Sequence, residues 1–305
     1  MNLGALSVSS IRLGASEVSK VYLGATEIYS NAATSGILDL YSAPAAAYSL
    51  RNLSATPSTF TNSSDTENNT TSGAWVAQVR RSSDNYKRSF TAAELTDGTL
   101  ASWTGANDGF ISIWYDQSSN ANHTTDGTDS LEPKIHDAST GVIVDAGGNP
   151  AADFDGADYL NLGATIATTT GTIFAVANLS TADSSQTLMG GSSPFMPYLS
   201  QGSTSSLIWG LTSSITASGV YVDAAAQSWG TRGDAYTALV TNSQVLMALE
   251  GVNTDSYSIE RIGAGQTGSS VKANGTISEI IIYSTDESTN RAAIESNINS
   301  HYGIY

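Results

Sequence analysis

The side chains best suited to chemistry lie together in one short stretch, residues 116–123. It contains Asp116, Gln117, Asn122 and His123, with two serines and one more asparagine between them. A carboxylate and an imidazole could act together as a base, but no Gly-x-Ser-x-Gly turn supplies a nucleophile for them. Polar side chains of this kind commonly bond the backbone of their own loop. We therefore expect these four residues to fix the loop or to face a ligand, and we predict no catalytic role for them.

Three carboxylates lie within six residues in the sequence Asp153-Phe-Asp-Gly-Ala-Asp158. Clustered carboxylates can bind calcium, but this segment lacks the loop length and the closing glutamate of an EF-hand. Asp-Gly is a favoured turn pair, so a turn between two strands is the preferred interpretation. His136 and His301 are isolated in the sequence and indicate no metal site. The sequence predicts neither a metal nor a cofactor.

Four aromatic residues in the middle of the chain are candidates for binding a glycan, because an aromatic ring can stack on a sugar ring: Tyr198, Trp209, Tyr221 and Trp229. Packing in a core or an interface is the usual fate of Trp and Tyr. The sequence does not separate these two interpretations, and both stay open.

A buried strand must position the polar loop, because residues 110–115 are mostly β-branched or aromatic and apolar on both faces. Similar short segments recur between clusters of Gly, Asp, Asn and Ser, which mark turns. Strands are predicted at 37–41, 48–53, 75–81, 141–144, 152–154, 171–179, 206–211, 219–223, 236–240, 245–249 and 276–283. Many short strands joined by turns predict an all-β protein, an antiparallel β-sandwich.

Two helices interrupt the strand pattern. Thr91, followed three residues later by Glu94, has the capping-box spacing and predicts one helical turn. Only the last segment is plainly helical: Ser284 is its predicted cap and Gly303 its end. Its apolar stripe, which repeats with helical spacing, consists of Ala293, Ile294, Ile298 and Tyr302.

The central stretch also carries a resemblance. Trp114-Tyr-Asp-Gln-Ser118 followed by Asn122-His123 resembles a segment of the arabinofuranosidase B catalytic domain, and is still more similar to the laminin-G/concanavalin-like domains of phage virion proteins. Further segments that fit the resemblance are residues 46–51, 79–85, 153–159, 172–176 and 275–283. The resemblance covers about residues 37–305 and implies a concanavalin/laminin-G-like jelly roll. It implies a virion structural protein, a tail fibre, tail-tip component or head decoration that adheres to host-surface glycans.

The alternative function that the resemblance implies is a glycoside hydrolase of arabinofuranosidase B type. Such an enzyme needs two carboxylates. The family's acid/base aspartate would fall in residues 262–268, where Gln266 takes its place, and an amide cannot donate and recover a proton. The family's nucleophile would fall in mid-domain, yet residues 186–202 contain no carboxylate, and the cysteines of the family's sugar site are missing. We therefore expect a protein that is not an enzyme.

Composition narrows the classes of partner. The 305 residues include 12 basic and 28 acidic ones, a formal charge of −16, which disfavours binding to nucleic acid and to anionic membranes. No stretch has the length of a membrane span, and the absence of cysteine excludes disulfides and thiol catalysis. The start of the sequence has no basic region followed by an apolar run, so we expect no secretory signal. Together with the resemblance, these features predict a location in the virion.

Residues 3–30 contain three units of period ten, which begin with Leu-Gly-Ala at Leu3, Leu13 and Leu23. Each unit offers a turn and a short strand that cannot bury its own faces. We predict an attachment or oligomerisation segment at residues 1–30 and the sandwich at 31–305, with a meander packed on the main domain as the alternative. Open strand edges favour pairing with another chain. By resemblance to phage appendages, we expect a homo-oligomer, a trimer in preference, bound to tail, portal or capsid proteins.

Overall fold

The computed structural model describes residues 12–13, 16–17, 20–23 and 26–30, and then residues 36–305 apart from 42, 63, 68–70, 126 and 266–270. Gln266 and the first repeat unit therefore lie outside the described residues. Four short strands are described in the N-terminal segment: β1 (Arg12–Leu13), β2 (Ser16–Glu17), β3 (Lys20–Leu23) and β4 (Thr26–Ser30). β1 pairs with β2 and β3 pairs with β4, in both cases antiparallel. The predicted attachment role of residues 1–30 stays a prediction.

The first half of the sandwich is a series of short strands with three small α-helices. They are α1 (Ile37–Leu40), β5 (Ala46–Ser49), β6 (Trp75–Arg81), β7 (Lys87–Thr91), α2 (Ala92–Thr96), α3 (Thr99–Thr104), β8 (Gly109–Trp114), β9 (Thr124–Thr125), a 3-10 helix (Asp129–Leu131), β10 (Lys134–Asp137), β11 (Gly141–Val142), β12 (Ala152–Asp155) and β13 (Leu160–Ile166).

The second half contains the longest strands and the two longest helices. They are β14 (Gly171–Leu179), β15 (Ser185–Gln186), β16 (Met189–Gly190), β17 (Phe195–Met196), β18 (Leu199–Ser200), β19 (Gly219–Val222), β20 (Ala225–Ala226), α4 (Arg232–Leu239), β21 (Val245–Val252), β22 (Ile259–Ile262), β23 (Asn274–Tyr283) and α5 (Arg291–Tyr302). Among the residues that the structure describes, no helix is long and apolar enough to cross a bilayer.

Two antiparallel sheets form the sandwich. The larger has 12 strands, in the order β20-β19-β21-β14-β23-β12-β10-β8-β6-β7, with β11 beside β10 and β5 beside β23. The smaller has the order β17-β16-β22-β13-β9. Ile173, Ile280 and Ile282 of the large sheet share one buried core with Leu160 and Ile262 of the small sheet. The predicted all-β antiparallel sandwich is thereby confirmed.

Helices cover part of the other face of the large sheet. Phe174 and Ile281 of that face form a second buried cluster with Ile294, Ile298 and Tyr302 of α5. The apolar stripe is therefore packed as predicted at these three positions, whereas Ala293 is exposed. The helix also starts later than predicted, at Arg291 rather than just after Ser284. The N–H of Glu287 donates to the Thr172 hydroxyl at 2.9 Å, which holds the preceding segment against the sheet in a non-helical conformation.

Helices also occur where strands were predicted. Residues 236–239 belong to α4, and Val240 is its C-cap; the helix starts at a capping box, in which Thr231 accepts a hydrogen bond from the N–H of Asp234 and the Asp234 carboxylate accepts one from the N–H of Thr231. Residues 37–40 form α1, whose first turn is closed by the Asp39 carboxylate on the N–H of Gly36. The capping box at Thr91 and Glu94 is present at the start of α2, as the spacing predicted. Residues 206–211 are irregular apart from a bridge at Gly210.

Candidate functional site

Asp116 holds the central loop in place through its carboxylate, which is fully buried. The carboxylate accepts hydrogen bonds from the backbone N–H groups of Ala47, Ser118 and Asn122 at 2.7, 2.8 and 2.7 Å, and from the Ser118 hydroxyl at 2.7 Å. These donors saturate the two oxygens and tie the loop to β5. Asp116 therefore has no free oxygen with which to meet a substrate.

Gln117 connects the same loop to the chain after β5. Its side-chain oxygen accepts from the N–H of Leu53 at 2.9 Å, and its amide nitrogen donates to the carbonyls of Ser49 and Arg51. The amide thus pairs with the backbone as a neighbouring strand would. This arrangement fits the loop-fixing interpretation of Gln117.

His123 is engaged by the backbone and by neighbouring rings of the fold. Its Nδ1 accepts a hydrogen bond from the backbone N–H of Asp116 at 3.0 Å, so this nitrogen carries no proton. Burial lowers the pKa of His123 below its ordinary value. The ring edges pack on Phe60 and Tyr115, with centroid separations of 4.4 and 4.9 Å. His123 is therefore a neutral packing residue, and it does not form a base pair with the Asp116 carboxylate.

Two of the four aromatic candidates, Trp209 and Trp229, contact each other, whereas Tyr198 and Tyr221 have other partners. Trp209 and Trp229 are stacked with centroids 5.9 Å apart and planes at 28°. One face of Tyr198 packs on Phe195 at 4.7 Å, and the Arg232 guanidinium lies 3.6 Å from the Tyr198 ring centroid.

Tyr221 instead lies under the guanidinium of Arg291, also at 3.6 Å from the ring centroid. In both Tyr198 and Tyr221, an arginine side chain therefore covers a ring face on which a sugar would have to stack. Glycan binding through Trp209 and Trp229, which are half-buried, stays a prediction.

The two segments in which the resemblance implies catalytic carboxylates do meet in the structure. A Cβ on Gly190 would lie 2.9 Å from the Cα of Gly265, so β16 and the described start of the Gly-rich loop touch closely. A Cβ on Gly191 would lie 3.2 Å from the Cγ of Glu260, whose carboxylate pairs with Arg261 at 3.3 Å. Residues 186–202 contribute no carboxylate to this contact. The junction therefore lacks the pair that glycoside hydrolysis requires.

A different place in the fold does bring carboxyl groups together: a pocket of about 280 Å³ beside β8, β10 and β12. Phe110 lies opposite Lys134, and Lys134 lies opposite Asp153, in the sheet register. Side chains at directly opposed positions project from the same face of a sheet. These three residues therefore form the floor of the pocket, which we call the acidic pocket.

Two loops complete the walls of the acidic pocket. The first supplies Asp129 and Glu132, and the second supplies Asp155 and Asp158. The N–H of Tyr159 donates to the carbonyl of Leu131 at 2.9 Å, which joins the two loops at their bases. Glu132 and Asp158, 26 residues apart in sequence, thereby line one cavity. In sequence, residues 153–158 favour a turn over a calcium site, and no motif marks Glu132.

Glu132 is buried, and only one of its two carboxylate oxygens has a hydrogen-bond partner among the described residues. Its Oε2 accepts from the Arg80 Nε at 2.6 Å, and the other Arg80 nitrogens donate to Asn85 and to the carbonyl of Asp129. Its Oε1 is buried with no hydrogen-bond partner among the described residues. A buried acceptor without a partner is costly. Glu132 lines the cavity, but its Oε1 is closed off from solvent, so this carboxylate acts on the cavity through its charge rather than by direct contact of Oε1.

The same burial shifts the protonation of the pocket. The pKa of Glu132 is raised to about 7 by burial, against the attraction of Arg80. The pKa of Asp158 is raised to about 7 by burial and by the neighbouring carboxylate of Asp155. The pKa of Asp153 is also raised by burial. Two carboxyl groups with pKa values near neutral pH therefore line one cavity. Such an arrangement is suited to acid/base chemistry.

No group of His, Asp and Glu side chains among the described residues is arranged to hold a metal ion. The calcium interpretation of residues 153–158 therefore gains no support. The Nδ1 of His136 lies 3.0 Å from the carbonyl of Asn107, and His301 packs edge-on against Tyr302, so both are engaged within the fold.

No protein-family model matches this sequence, and a search of curated proteins finds no match. Solved structures do match. A GH54 α-L-arabinofuranosidase mutant soaked with 4-nitrophenyl α-L-arabinofuranoside has a TM-score of 0.54 at 16% identity. An arabinofuranosidase complexed with arabinofuranosyl-α-1,2-xylobiose has a TM-score of 0.50 at 14% identity. Each match covers 88% of this chain and 65% of the enzyme chain, so this chain spans about two thirds of its structural neighbours' length.

These matches bear on the expected function. Because the sequence identities are low, these matches show a similar fold and nothing further. The structures that share the fold are glycoside hydrolases, and this finding contradicts the prediction of a non-enzymatic virion structural protein. The virion role rested on the resemblance to phage proteins, and the expected lack of activity rested on the carboxylates and cysteines missing from the positions that the resemblance implies. Carboxylates from elsewhere in the fold nevertheless line a common cavity.

Proposed function

We propose that this protein is a glycoside hydrolase that cleaves α-L-arabinofuranosides, and that the acidic pocket is its active site. The observation that carries the proposal is the pair Glu132 and Asp158, two carboxyl groups in one cavity with pKa values near 7. The fold shared with arabinofuranosidases supports the choice of substrate class. A cavity of about 280 Å³ is large enough for one sugar ring but not for a polymer.

In this proposal Asp158 is the proton donor. Near neutral pH about half of its population is protonated, because its pKa is about 7. It gives its proton to the glycosidic oxygen as the bond from that oxygen to the anomeric carbon breaks. Water then adds to the anomeric carbon and returns a proton to Asp158. The elevated pKa makes both transfers accessible at one pH.

Glu132 has the anionic role. Arg80 holds one of its oxygens at 2.6 Å, and the other, Oε1, is buried beside the cavity. A carboxylate fixed in a partly buried position stabilises the positive charge that develops on the anomeric carbon through its field, without direct contact. The Phe110 ring on the pocket floor lies near two cations, with the Arg80 guanidinium 5.0 Å and the Lys134 ammonium 5.8 Å from its centroid.

The test is hydrolysis of 4-nitrophenyl α-L-arabinofuranoside by the purified chain and by Asp158→Asn and Glu132→Gln. Loss of a general acid or of the anionic partner should lower the rate by about 10²–10⁴-fold. Asp255→Asn, an exposed carboxylate in a turn and outside the pocket, is the matched control and should keep full activity. Melting temperatures of all variants establish that each is folded. Absence of turnover by the unmodified chain, or full activity in both pocket variants, overturns the proposal.

A further inference from the structure

We infer that a second cavity, which shares no lining residue with the acidic pocket, binds an uncharged saccharide chain. It is a groove of about 750 Å³ between the loop at residues 120–125 and the end of β13 at residues 163–167. We call it the β13 groove. The identity of its ligand rests on the proposed function, because a chain bound there would be the polymer on which the acidic pocket acts.

Among the described residues, no Asp, Glu, Lys or Arg side chain lines the β13 groove, in a chain that has 40 such residues (12 basic and 28 acidic); Asp126, which follows the lining residue Thr125, lies outside the described residues. The titratable side chain of the described lining is His123, whose pKa is lowered by burial. A described lining without charge offers no partner to a phosphate, a uronate or a basic peptide. Its ligand is therefore expected to be neutral.

The lining alternates hydroxyl groups with apolar surface. Thr125, Thr165 and Ser284 supply hydroxyls, and Ile113 and Ile166 supply aliphatic carbon. A sugar ring presents the complementary pattern, with hydroxyls at its rim and C–H groups on its faces. Binding sites for small molecules generally combine apolar walls with a few well-placed polar groups. A neutral saccharide fits this groove better than any charged polymer does.

The walls of the groove are fixed before any ligand arrives. The side chain of Asn122 accepts from the N–H of Ala164 at 2.5 Å and donates to the Ala164 carbonyl at 2.7 Å. The Asn120 amide donates to the carbonyls of Pro44 and Ala45. A Cβ on Gly163 would lie only 2.6 Å from the His123 carbonyl oxygen, so the loop can approach β13 because residue 163 is glycine. A site built in advance loses less free energy to ordering when it binds.

Two segments connect the groove with the acidic pocket. β13 begins two residues after Asp158 and ends at the groove, and the chain that leaves the groove at Thr125 reaches Glu132 seven residues later. At about 3.3 Å per residue, the seven residues from Asp158 to Thr165 span at most roughly 23 Å. A polysaccharide held in the groove is therefore kept at high local concentration near the proposed catalytic carboxyls.

Calorimetric titration with arabinofuranosyl-substituted xylo-oligosaccharides tests the inference, with the full chain carrying Asp158→Asn to prevent hydrolysis. Adding Thr165→Trp should fill the groove and weaken binding at least tenfold. Thr170→Trp, on the exposed connection after β13 but outside the groove lining, is the matched control and should leave binding unchanged. Equal binding with and without Thr165→Trp, no binding at all, or preferred binding of a polyanion overturns the inference.

The two proposals fail separately. Without the Asp158 change, Thr165→Trp should slow release of arabinose from the polymer and leave hydrolysis of the small aryl arabinofuranoside unaltered. One outcome is that the chain shows no hydrolysis of any substrate, while Thr165→Trp still abolishes binding of the oligosaccharide. This outcome supports saccharide binding in the groove and overturns the proposed catalysis. If the aryl substrate is hydrolysed and Thr165→Trp changes neither binding nor release from the polymer, the groove fails alone.

Discussion

His123 accepts a hydrogen bond from the backbone N–H of Asp116 at 3.0 Å, while the Asp116 carboxylate accepts its own bonds from other groups of the loop and from β5. The two residues therefore stabilise one loop from two sides instead of sharing a proton. This loop also forms one wall of the β13 groove through Asn122. Loop stability and the shape of the groove are thus coupled through Asp116.

Asp116→Asn should destabilise the fold substantially. The new amide group would direct N–H donors at the N–H of Asn122 or Ala47, where the carboxylate had accepted. Hydrogen bonds to a charged group contribute about 1.5–3 kcal/mol, so we expect the free energy of unfolding to fall by at least about 2 kcal/mol. Urea denaturation measures the loss. Asp255→Asn is the control, and an equal midpoint for both variants would contradict the structural role of Asp116.

The stability of the protein should depend on pH through Asp158. Its pKa is about 7 in the folded chain and 3.8 in the unfolded one. Between these values the unfolded chain releases a proton that the folded chain keeps, so stability falls as the pH rises from about 4 to 7 and is constant above that window. With about 1.36 kcal/mol per pKa unit, the penalty above pH 7 is at most about 4 kcal/mol.

Asp158→Asn removes this titration. The variant should therefore be more stable than the unmodified chain at pH 8, and the two should converge near pH 4. Denaturation midpoints at the two pH values provide the measurement. If the difference in stability between the unmodified chain and Asp158→Asn is the same at pH 8 and at pH 4, Asp158 has an ordinary pKa.

Arg80 is expected to be needed for the folding of the acidic pocket. Arg80→Met leaves the buried Glu132 without its cation, and breaking a buried pair from one side costs about 3–5 kcal/mol. The double variant Arg80→Met/Glu132→Gln removes the uncompensated charge and should recover part of that loss. Chemical denaturation of both single variants and the double variant completes the cycle. Strictly additive effects would mean that the 2.6 Å pair contributes no coupling.

The packing of α5 can be tested with two neighbouring residues. Ile294 is fully buried against the large sheet, and Ala293 beside it is exposed. Ile294→Ala should lower the free energy of unfolding by about 2–5 kcal/mol, whereas Ala293→Ser should change it by less than about 0.5 kcal/mol. Deletion from Ser284 onward should give insoluble or much less stable protein. Equal stability of the two point variants would show that the helix is not packed as described.

Residues 1–30 are predicted to assemble the chain and to be dispensable for the sandwich. The described strands of this segment pair only with one another in the sheet assignment, β1 with β2 and β3 with β4. Light scattering should give an oligomer, a trimer in preference, for the full chain and a monomer for residues 31–305, with similar melting temperatures. Unfolding of the truncated chain would instead make the segment part of the core.

The class of fold follows from the sequence, because the evidence for it is local. Runs of β-branched and aromatic residues that are apolar on both faces specify strands such as β8 and β14, and the Thr91–Glu94 spacing specifies the start of α2 within a few residues. Thr231 and Asp234 have the same capping spacing at the start of α4, but the mostly apolar residues 236–240 after them favour a strand in sequence.

Which side chains share a site depends on contacts between distant parts of the chain. In sequence, Glu132 belongs to no motif and Asp158 belongs to a carboxylate-rich segment interpreted as a turn; their elevated pKa values arise from burial beside β10 and β12, which no local pattern encodes. Tyr198 and Tyr221 look alike in sequence as sugar-stacking candidates, but distant arginines, Arg232 and Arg291, cover their rings. Burial and long-range contacts are properties of the folded chain, and they set both the chemistry of the carboxyl groups and the availability of the aromatic faces.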